Sequence, residues 1–289
     1  MEIENVLILH GGVCRRRDLV AAGISARKLQ RALEERRVAK ARRGIYALPD
    51  ADRGRIAAAA MGGELACISA AERLNLWVLR KPTLLHVCFD QARQVGPDVR
   101  VHRAARPVTP LLICLQVMRC LPELDALCIV ESAVVRRLVS LEQLRSSTGG
   151  KRDAPLRRII SLVDPHSQSI LETVARYPLR EAGLAVQSQV YVKGVGRLDL
   201  FVDGILGIEA DGREYHSGPV EFEEDRRRWN LLTVGGVPVL RVTRGQVVDR
   251  PEAYLKMVQQ TLAAHRGTHI RASAPIESGG SLGMSRHTQ

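Results

Sequence analysis

The chain contains few aromatic residues, since Phe, Tyr and Trp together make up only 3% of its 289 residues. Aliphatic side chains and alanine must therefore provide most of the packing, because hydrophobic residues still account for 45% of the sequence. At this length we expect two or three domains with ample hydrophobic core.

The sequence also lacks the long apolar runs of membrane proteins. No segment approaches the roughly 18 consecutive apolar residues of a membrane span. The run at residues 6–9 is short and follows Glu2 and Glu4 rather than basic residues, so it is not predicted to be a signal peptide. We therefore expect a cytoplasmic protein without a membrane partner.

The cysteines lack the spacing of a zinc site. No Cys-x-x-Cys pair is present, and no histidine lies among the last three cysteines. Most of them stand in apolar contexts, which predicts buried, reduced thiols in a reducing compartment. The sequence thus predicts no zinc site, although it contains six cysteines: Cys14, Cys67, Cys88, Cys114, Cys120 and Cys128.

Positive charge is abundant, with a net charge of +12 and a pI near 10.0. Such a balance predicts a polyanionic partner, but a generally basic proteome would give the same composition. The distribution of the charge is more informative. Residues 15–43 contain eleven Lys and Arg against three acids, which is two-thirds of the whole excess.

This basic segment predicts a winged helix-turn-helix. Residues 13–22 are expected to form a short helix ended by Gly23, and Ser25 is a suitable N-cap for a second helix running to about Glu35. Residues 38–42 and 45–48 then form a small hairpin around Arg43-Gly44.

The second helix is the predicted recognition element. Leu29 and Leu33 form part of a core stripe and leave basic side chains outward. A solvated charged helix is the alternative, but charge, cap, turn and wing together favour binding to double-stranded DNA. The predicted DNA-contacting residues are Arg27, Lys28 and Arg31 on the helix and Arg42 and Arg43 on the wing.

The pattern formed by residues 12–13, 18–19, 23–25 and 42–46 resembles the N-terminal winged-helix module of AbiEi-type antitoxin-domain proteins, which are common in actinobacteria. The resemblance covers residues 1–50 and implies a DNA partner.

Residues 51–145 show alternating helix and strand signals without a catalytic constellation, and we interpret them as a scaffold domain. Residues 146–153 are predicted to be a linker, and residues 266–289 a disordered tail.

Residues 196–216 read GRLDLFVDGILGIEADGREYH and place three acids among apolar residues. Asp199 lies between leucines, while Glu209 and Asp211 follow the apolar run at residues 205–208. Burying a carboxylate without a partner costs several kcal/mol or neutralises the acid. We therefore expect a cation at these acids, and a divalent metal is the natural candidate.

Asp203-Gly204 between two apolar segments predicts a β-hairpin, and its loop length decides where the acids point. A two-residue loop would place Asp199 and Glu209 on opposite faces of the sheet. A three-residue loop at residues 202–204, with a bulge at Gly204, pairs Phe201 with Ile205. We predict this bulged register, in which one face carries Asp199, Glu209 and Asp211 as metal ligands.

From residue 155 to residue 265, the sequence predicts a helix, three strands, a helix, a strand and a closing helix, which is an α/β core in an α+β protein. That order resembles the Vsr-like domain of unknown function in the PD-(D/E)XK nuclease superfamily. The motifs that carry the resemblance are SILE (169–172), RLD (197–199), IEADG (208–212), His216, DRRRW (225–229) and VLRVT (239–243).

The resemblance implies a restriction-endonuclease-like mixed sheet flanked by helices and a phosphodiesterase site that uses Mg²⁺ or Mn²⁺. Asp199 and Glu209 would ligate the metal, and Asp211 and Glu172 would support the metal or the water. His216 and Arg241 would contact or protonate phosphate oxygens.

Several of these residues have structural alternatives. Glu172 also completes a helix capping box with Ser169, and His216 is as compatible with a structural role as with a chemical one. The DRRRW arginines are either a solvated helix face or a phosphate track. The superfamily's lysine is replaced by Asp211, and the Vsr-like branch also lacks it, with His216 as the candidate substitute.

Two functions therefore remain consistent with the sequence. The leading hypothesis is a DNA-binding protein with a metal-dependent endonuclease-like C-terminal domain. The alternative is a non-enzymatic transcriptional regulator or antitoxin-like repressor, with an inactive nuclease-like domain and an unidentified toxin partner. The sequence gives neither the DNA site nor the oligomeric state.

Overall fold

The computed structural model describes residues 2–105, 107–192, 196–211 and 236–265, without the side chain of Asp211. It is an α+β protein, as predicted, with helices and three sheets in the described ranges. The chain divides into two compact units, Met1–Val163 and Asp164–Gln289. In the described ranges, no helix combines the length and apolar character needed to span a membrane.

The first unit begins with a helix-turn-helix and a small sheet. Its sheet has the order β1-β3-β2, and both neighbouring pairs are antiparallel. The elements are α1 (Ile3–Leu9), β1 (Val13–Arg15), α2 (Arg16–Ala21), α3 (Ala26–Glu34), β2 (Ala39–Arg42) and β3 (Ile45–Ala47).

The predicted helix at residues 13–22 is wrong at its start, because Val13–Arg15 forms a strand that pairs with β3. Val13 and Cys14 are buried, and the helix α2 begins only at Arg16. The spacing of apolar residues in so short a stretch fits a helix and a strand equally well, and pairing with the neighbouring β3 favours the strand.

Mixed helices and strands fill the rest of the first unit. β4 pairs with β5 antiparallel, and β5 pairs with β6 parallel. The elements are α4 (Arg53–Met61), β4 (Glu64–Leu65), α5 (Cys67–Arg73), β5 (Leu85–Phe89), β6 (Val99–Arg103), α6 (Pro110–Cys120), α7 (Glu123–Val135), α8 (Leu141–Ser146), a 3-10 turn (Lys151–Asp153) and α9 (Ala154–Leu162).

The linker predicted at residues 146–153 is part of this unit instead. Thr148 is fully buried, and its hydroxyl donates a hydrogen bond to the carbonyl oxygen of Leu144 at 2.9 Å. Polar and glycine-rich composition alone could not distinguish a flexible linker from a packed helix terminus, which buries the same residue types.

The second unit contains a mixed sheet of order β10-β9-β8-β7. β7, β8 and β9 are antiparallel neighbours, while β10 runs parallel to β9. The predicted helix at residues 220–233 lies outside the described residues. The elements are α10 (Ile170–Glu181), β7 (Val186–Val192), β8 (Gly196–Val202), β9 (Leu206–Asp211), β10 (Val239–Thr243), α11 (Arg244–Val247) and α12 (Pro251–Ala264).

The β8–β9 hairpin combines a tight turn with a bulge. Asp203 and Gly204 both have positive φ, 50° and 69°, as in a type I′ turn, and the N–H of Ile205 donates to the carbonyl of Val202 at 3.0 Å. The ladder nevertheless pairs Val202 with Leu206, so Ile205 is an extra residue on β9.

The predicted pairing of Phe201 with Ile205 is therefore wrong, since Phe201 pairs with Gly207. Burial explains the observed register. Leu200 pairs with Ile208, and both side chains are completely buried, as are Val202 and Leu206 in the neighbouring pair. A two-residue register without the bulge would move β9's buried residues to the opposite face.

Candidate nucleic-acid interface and carboxylate site

Helix α3 has the cap and the faces that the sequence predicted. The hydroxyl of Ser25 accepts a hydrogen bond from the backbone N–H of Lys28 at 3.2 Å, which satisfies one of the free donors at the helix start. Leu29 and Ala32 are buried in the core of the module. Arg27 and Lys28 are exposed on the surface of the helix.

Arg31 differs from these two residues because it has an acidic neighbour. Its guanidinium Nε lies 2.8 Å from a carboxylate oxygen of Glu35, one helical turn away. Hydrogen bonds from Arg31 and Arg37 lower the pKa of Glu35. In the described ranges Arg27 and Lys28 form no ion pair, so they carry the uncompensated charge of α3.

The wing of the module is the β2–β3 hairpin, and its tip is basic. Arg42 and Arg43 are exposed, and Gly44 takes a positive φ of 72° at the turn. The carbonyl of Gly44 accepts a hydrogen bond from the backbone N–H of Arg16 at 2.9 Å, which ties the tip to the start of α2. The module therefore presents two exposed basic elements, as a DNA-binding winged helix requires.

In the second unit, Asp199 is anchored to neighbouring strands. Its Oδ2 accepts a hydrogen bond from the backbone N–H of Ala210 at 2.9 Å, and its Oδ1 lies 3.4 Å from the amide nitrogen of Gln189. Leu198 and Leu200, on either side in the chain, are completely buried. Asp199 is therefore a partly exposed carboxylate fixed at the edge of an apolar core.

The side chain of Glu172 lies next to this acid. Glu172 is only 3% exposed, and its Oε2 accepts hydrogen bonds from Gln189 Nε2 at 2.8 Å and from the backbone N–H of Gln168 at 2.9 Å. Burial, opposed in part by these hydrogen bonds and reinforced by the charge of Asp199, raises the pKa of Glu172. The amide of Gln189 thus joins Glu172 and Asp199, which are far apart in sequence.

Glu172 also lies at the helix start, where Ser169 is the N-cap that the sequence suggested. The hydroxyl of Ser169 accepts a hydrogen bond from the backbone N–H of Glu172 at 3.2 Å. The Glu172 carboxylate caps the N–H of Gln168 and turns toward the sheet, so capping and a place beside Asp199 occur together.

Glu209 contacts Arg241 across the parallel pair of β9 and β10. The two residues are in register, and the guanidinium Nε of Arg241 lies 3.1 Å from Glu209 Oε2. The side chain of Glu209 is 13% exposed and that of Arg241 is 26% exposed. Glu209 directly precedes Ala210, whose backbone N–H donates to Asp199. The ion pair is therefore one residue along β9 from the strand position that anchors Asp199.

The remaining predicted site residues fall at or beyond the limits of the described ranges. Asp211 ends β9 in register with Thr243, and its side chain is not described. His216 and the DRRRW arginines lie outside the described residues. The ladder of the hairpin ends at the pair Leu200 and Ile208, one residue short of Asp199 and Glu209. The shared face of the three acids therefore stays a prediction.

Gln189 is the site residue that sequence reasoning missed. It has a φ of 57° inside β7, between residues that pair normally with β8. A positive φ at a residue other than glycine is costly, and it persists where the surroundings over-determine it. The alternation of β7 residues gave no sign of this conformation, which directs the amide to two acids.

A second group of potential metal ligands lies in the first unit. Cys67, His86, His102 and Cys120 place one ligand atom each within 4.8 Å of one another. The prediction that the cysteines form no zinc site rested on short sequence spacing, whereas these residues come from four separate elements. Only tertiary structure brings them together.

Comparison with known proteins gives two results. Residues 1–49 match a family model described as a transcriptional regulator, AbiEi antitoxin, in agreement with the resemblance seen in the sequence. Two similar proteins of Mycobacterium tuberculosis, the uncharacterized protein MT2308 of strain CDC 1551 / Oshkosh and the uncharacterized protein Rv2248 of strain ATCC 25618 / H37Rv, are each 25% identical over 233 residues. The similarity covers 72% of this chain and 86% of each relative.

Proposed function

We propose that this chain is a DNA-binding protein whose second unit is a PD-(D/E)XK-type, metal-dependent phosphodiesterase acting as an endonuclease. The observation that carries the proposal is the pairing of Glu172 with Asp199 through the amide of Gln189. Two carboxylates held together at the edge of an apolar core repel each other, which is unfavourable for stability but suits the binding of a cation.

The N-terminal module supplies the DNA-binding part of the proposal. The family match at residues 1–49 supports a regulator-type DNA-binding module, and the exposed Arg27 and Lys28 supply positive charge for phosphate contacts. Docking by this module raises the local concentration of DNA at the second unit, so the cleavage site itself needs little affinity of its own.

The residues of the second unit suit a hard divalent cation. Carboxylate oxygens are the ligands that Mg²⁺ and Mn²⁺ prefer, and Glu172 and Asp199 provide them from a helix and a strand. The raised pKa of Glu172 reflects a site where negative charge is costly, and a cation would remove that cost. When bound, the metal would polarise the phosphodiester and lower the pKa of an attacking water.

The protein's own side chains hold this arrangement in place. Gln189 Nε2 donates to one oxygen of each acid, and the Ala210 N–H holds the other oxygen of Asp199, which fixes the orientation of both carboxylates. Arg241 orients Glu209, and its guanidinium has five N–H donors, so the same group can also bind a phosphate oxygen.

A non-enzymatic regulator is the second candidate. The observation that favours it is the Arg241–Glu209 ion pair, because an arginine already balances one of the predicted metal ligands. In this case the second unit would serve as a binding or oligomerisation platform, and the N-terminal module would act as a repressor with a toxin as partner.

Cleavage of plasmid DNA in the presence of Mg²⁺ or Mn²⁺ separates the two candidates. The variant Asp199→Asn should lose about 100-fold or more in nicking rate. Replacing a residue that only supports a metal ligand already lowers metal affinity or activity by about 10–100-fold. Asp203→Asn is the matched control on the same hairpin. Its Oδ1 accepts a hydrogen bond from the Ala185 N–H at 2.8 Å, and asparagine retains that acceptor.

DNA binding measured in Ca²⁺ should be equal for the wild type and both variants. If wild type and Asp199→Asn nick at the same rate over a range of metals and DNA structures, the endonuclease proposal is wrong and the regulator is favoured.

A further inference from the structure

The Cys/His group in the first unit has the dimensions of a metal site. Its four ligand atoms all lie within 4.8 Å of one another. His86 Nδ1 is 3.1 Å from His102 Nε2 and 4.0 Å from Cys120 Sγ. The residues come from α5, β5, β6 and α6, so the group connects two helices to both strands of a parallel pair.

These distances are close to those of a tetrahedral zinc centre. Zinc–nitrogen bonds of about 2.0 Å and zinc–sulfur bonds of about 2.3 Å give edges of about 3.3 Å between two nitrogens and about 3.5 Å between nitrogen and sulfur. The observed nitrogen–nitrogen distance differs from its edge by about 0.2 Å and the nitrogen–sulfur distance by about 0.5 Å. Small side-chain movements would therefore complete the tetrahedron.

Burial also suits a metal. Cys67 and His86 are buried, and His102 and Cys120 are half-buried, so an ion held among them would be largely shielded from bulk water. A bound cation would offset the cost of placing thiolates in this environment.

Neighbouring groups hold the ligand residues in position. The backbone N–H of Cys67 donates to Gln116 Oε1 at 2.9 Å, and the backbone N–H of His86 donates to Ser69 Oγ at 3.0 Å. Cys67 has a φ of 49°, which a residue other than glycine rarely adopts. Strained residues with fixed hydrogen bonds are typical of functional sites, where the geometry is set by more than local preference.

We propose that Cys67, His86, His102 and Cys120 bind a structural Zn²⁺ ion. Two thiolates and two imidazoles are a soft, tetrahedral donor set that selects zinc over Mg²⁺ or Mn²⁺. With four protein ligands the site is closed, so its role is to stabilise the first unit rather than to catalyse a reaction. On binding, each cysteine thiol releases its proton to solvent, and the charges of the ion and the two thiolates cancel.

Zinc content of the full-length chain tests this proposal. Protein expressed in zinc-supplemented medium and purified under reducing conditions should contain about one Zn²⁺ per chain, as measured by inductively coupled plasma mass spectrometry. After exchange with Co²⁺, it should show the visible d–d bands of tetrahedral cobalt and thiolate-to-cobalt charge transfer in the near ultraviolet.

Cys120→Ser is the informative variant because Cys120 is only half-buried, so its replacement is compatible with folding. It should lose the metal and the tetrahedral cobalt spectrum, and His102→Asn should do the same. Cys114→Ser is the matched control. Cys114 lies on the same helix α6, is completely buried and is not part of the group, so this variant should retain the metal.

Three results would overturn the proposal: reduced wild-type protein without bound zinc, a Cys120→Ser variant that binds zinc and cobalt as the wild type does, or a Cys67–Cys120 disulfide in protein that contains no metal. The last outcome would identify the pair as a redox element instead. None of these three results bears on the carboxylate site, whose residues belong to the other unit.

Discussion

Replacing Glu172 by glutamine should stabilise the second unit when no metal is bound, although Glu172 is buried and hydrogen-bonded. The amide of Gln189 is 2.8 Å from Glu172 Oε2 and 3.4 Å from Asp199 Oδ1, so these two oxygens are at most about 6 Å apart. At an effective dielectric constant of about 20, two negative charges at that distance repel each other by about 3 kcal/mol.

The substitution also weakens two hydrogen bonds. Those donated by Gln168 and Gln189 each lose about 1 kcal/mol when the acceptor becomes neutral. Removing the charge also removes the cost of burying a carboxylate, so the balance is a gain of at least about 1 kcal/mol in the free energy of unfolding for Glu172→Gln near neutral pH.

The gain should depend on pH in a defined direction. Burial, together with the charge of Asp199, raises the pKa of Glu172, so the native state keeps this proton at a pH where the unfolded chain has lost it. The wild type therefore loses stability as the pH rises from the unfolded pKa through the folded pKa. The difference between wild type and Glu172→Gln should vanish below the unfolded pKa and be complete above the folded one.

Mn²⁺ should reverse the order of stability. At a concentration 100 times the dissociation constant, a bound metal stabilises the wild type by about 2.7 kcal/mol, whereas the variant has lost part of the site and gains less. Hydrogen exchange of β8 and β9 peptides, measured by mass spectrometry and corrected for intrinsic rates, gives the local stability, with β5 peptides as internal reference.

Glu252→Gln, at an exposed position on α12 of the same unit, is the control substitution and should leave the protection by metal unchanged. Lower protection of Glu172→Gln than of wild type at neutral pH without metal, or equal protection of both proteins by Mn²⁺, would show that Glu172 neither repels Asp199 nor binds the metal.

Two further predictions concern the interface and the sheet. Lys28→Ala should weaken DNA binding and reduce the slope of log affinity against log salt concentration by about 1. Lys81→Ala, at another exposed position, should change neither the affinity nor the slope. An unchanged slope for Lys28→Ala would show that Lys28 on α3 does not contact DNA phosphates. Gly207→Ala should destabilise the second unit by about 1–3 kcal/mol in urea unfolding, because its Cβ would lie 2.9 Å from Leu198 and 3.0 Å from Val239. Gly96→Ala, with no atom within 4 Å of the added Cβ, should be neutral, and equal stabilities of the two variants would show that β9 has room to move.

The winged-helix module could be predicted in most of its parts because local interactions form it. Ser25 caps α3, Leu29 is buried and Gly44 turns the wing, and each of these depends on residues a few positions away. The error at Val13–Arg15 has the opposite cause, since this segment becomes a strand through β3, which follows some thirty residues later.

The hairpin shows the same division at the carboxylate site. The Asp203-Gly204 turn was evident in the sequence, but its register was not, because the bulge at Ile205 is selected by the burial of Leu206 and Ile208 against β8. Local turn chemistry permits several registers that differ by one residue, and only the packed sheet chooses among them.

By itself, the sequence determined the main cap, the turns and the basic surface of the first module, and it marked Asp199, Glu209 and Asp211 as acids that need a cationic partner. Tertiary structure alone joined Glu172 to Asp199 through Gln189, paired Glu209 with Arg241, and gathered two cysteines and two histidines from four elements. Local propensities act over a few residues, whereas a site is formed by contacts between residues far apart in the chain, and these exist only once the core has packed.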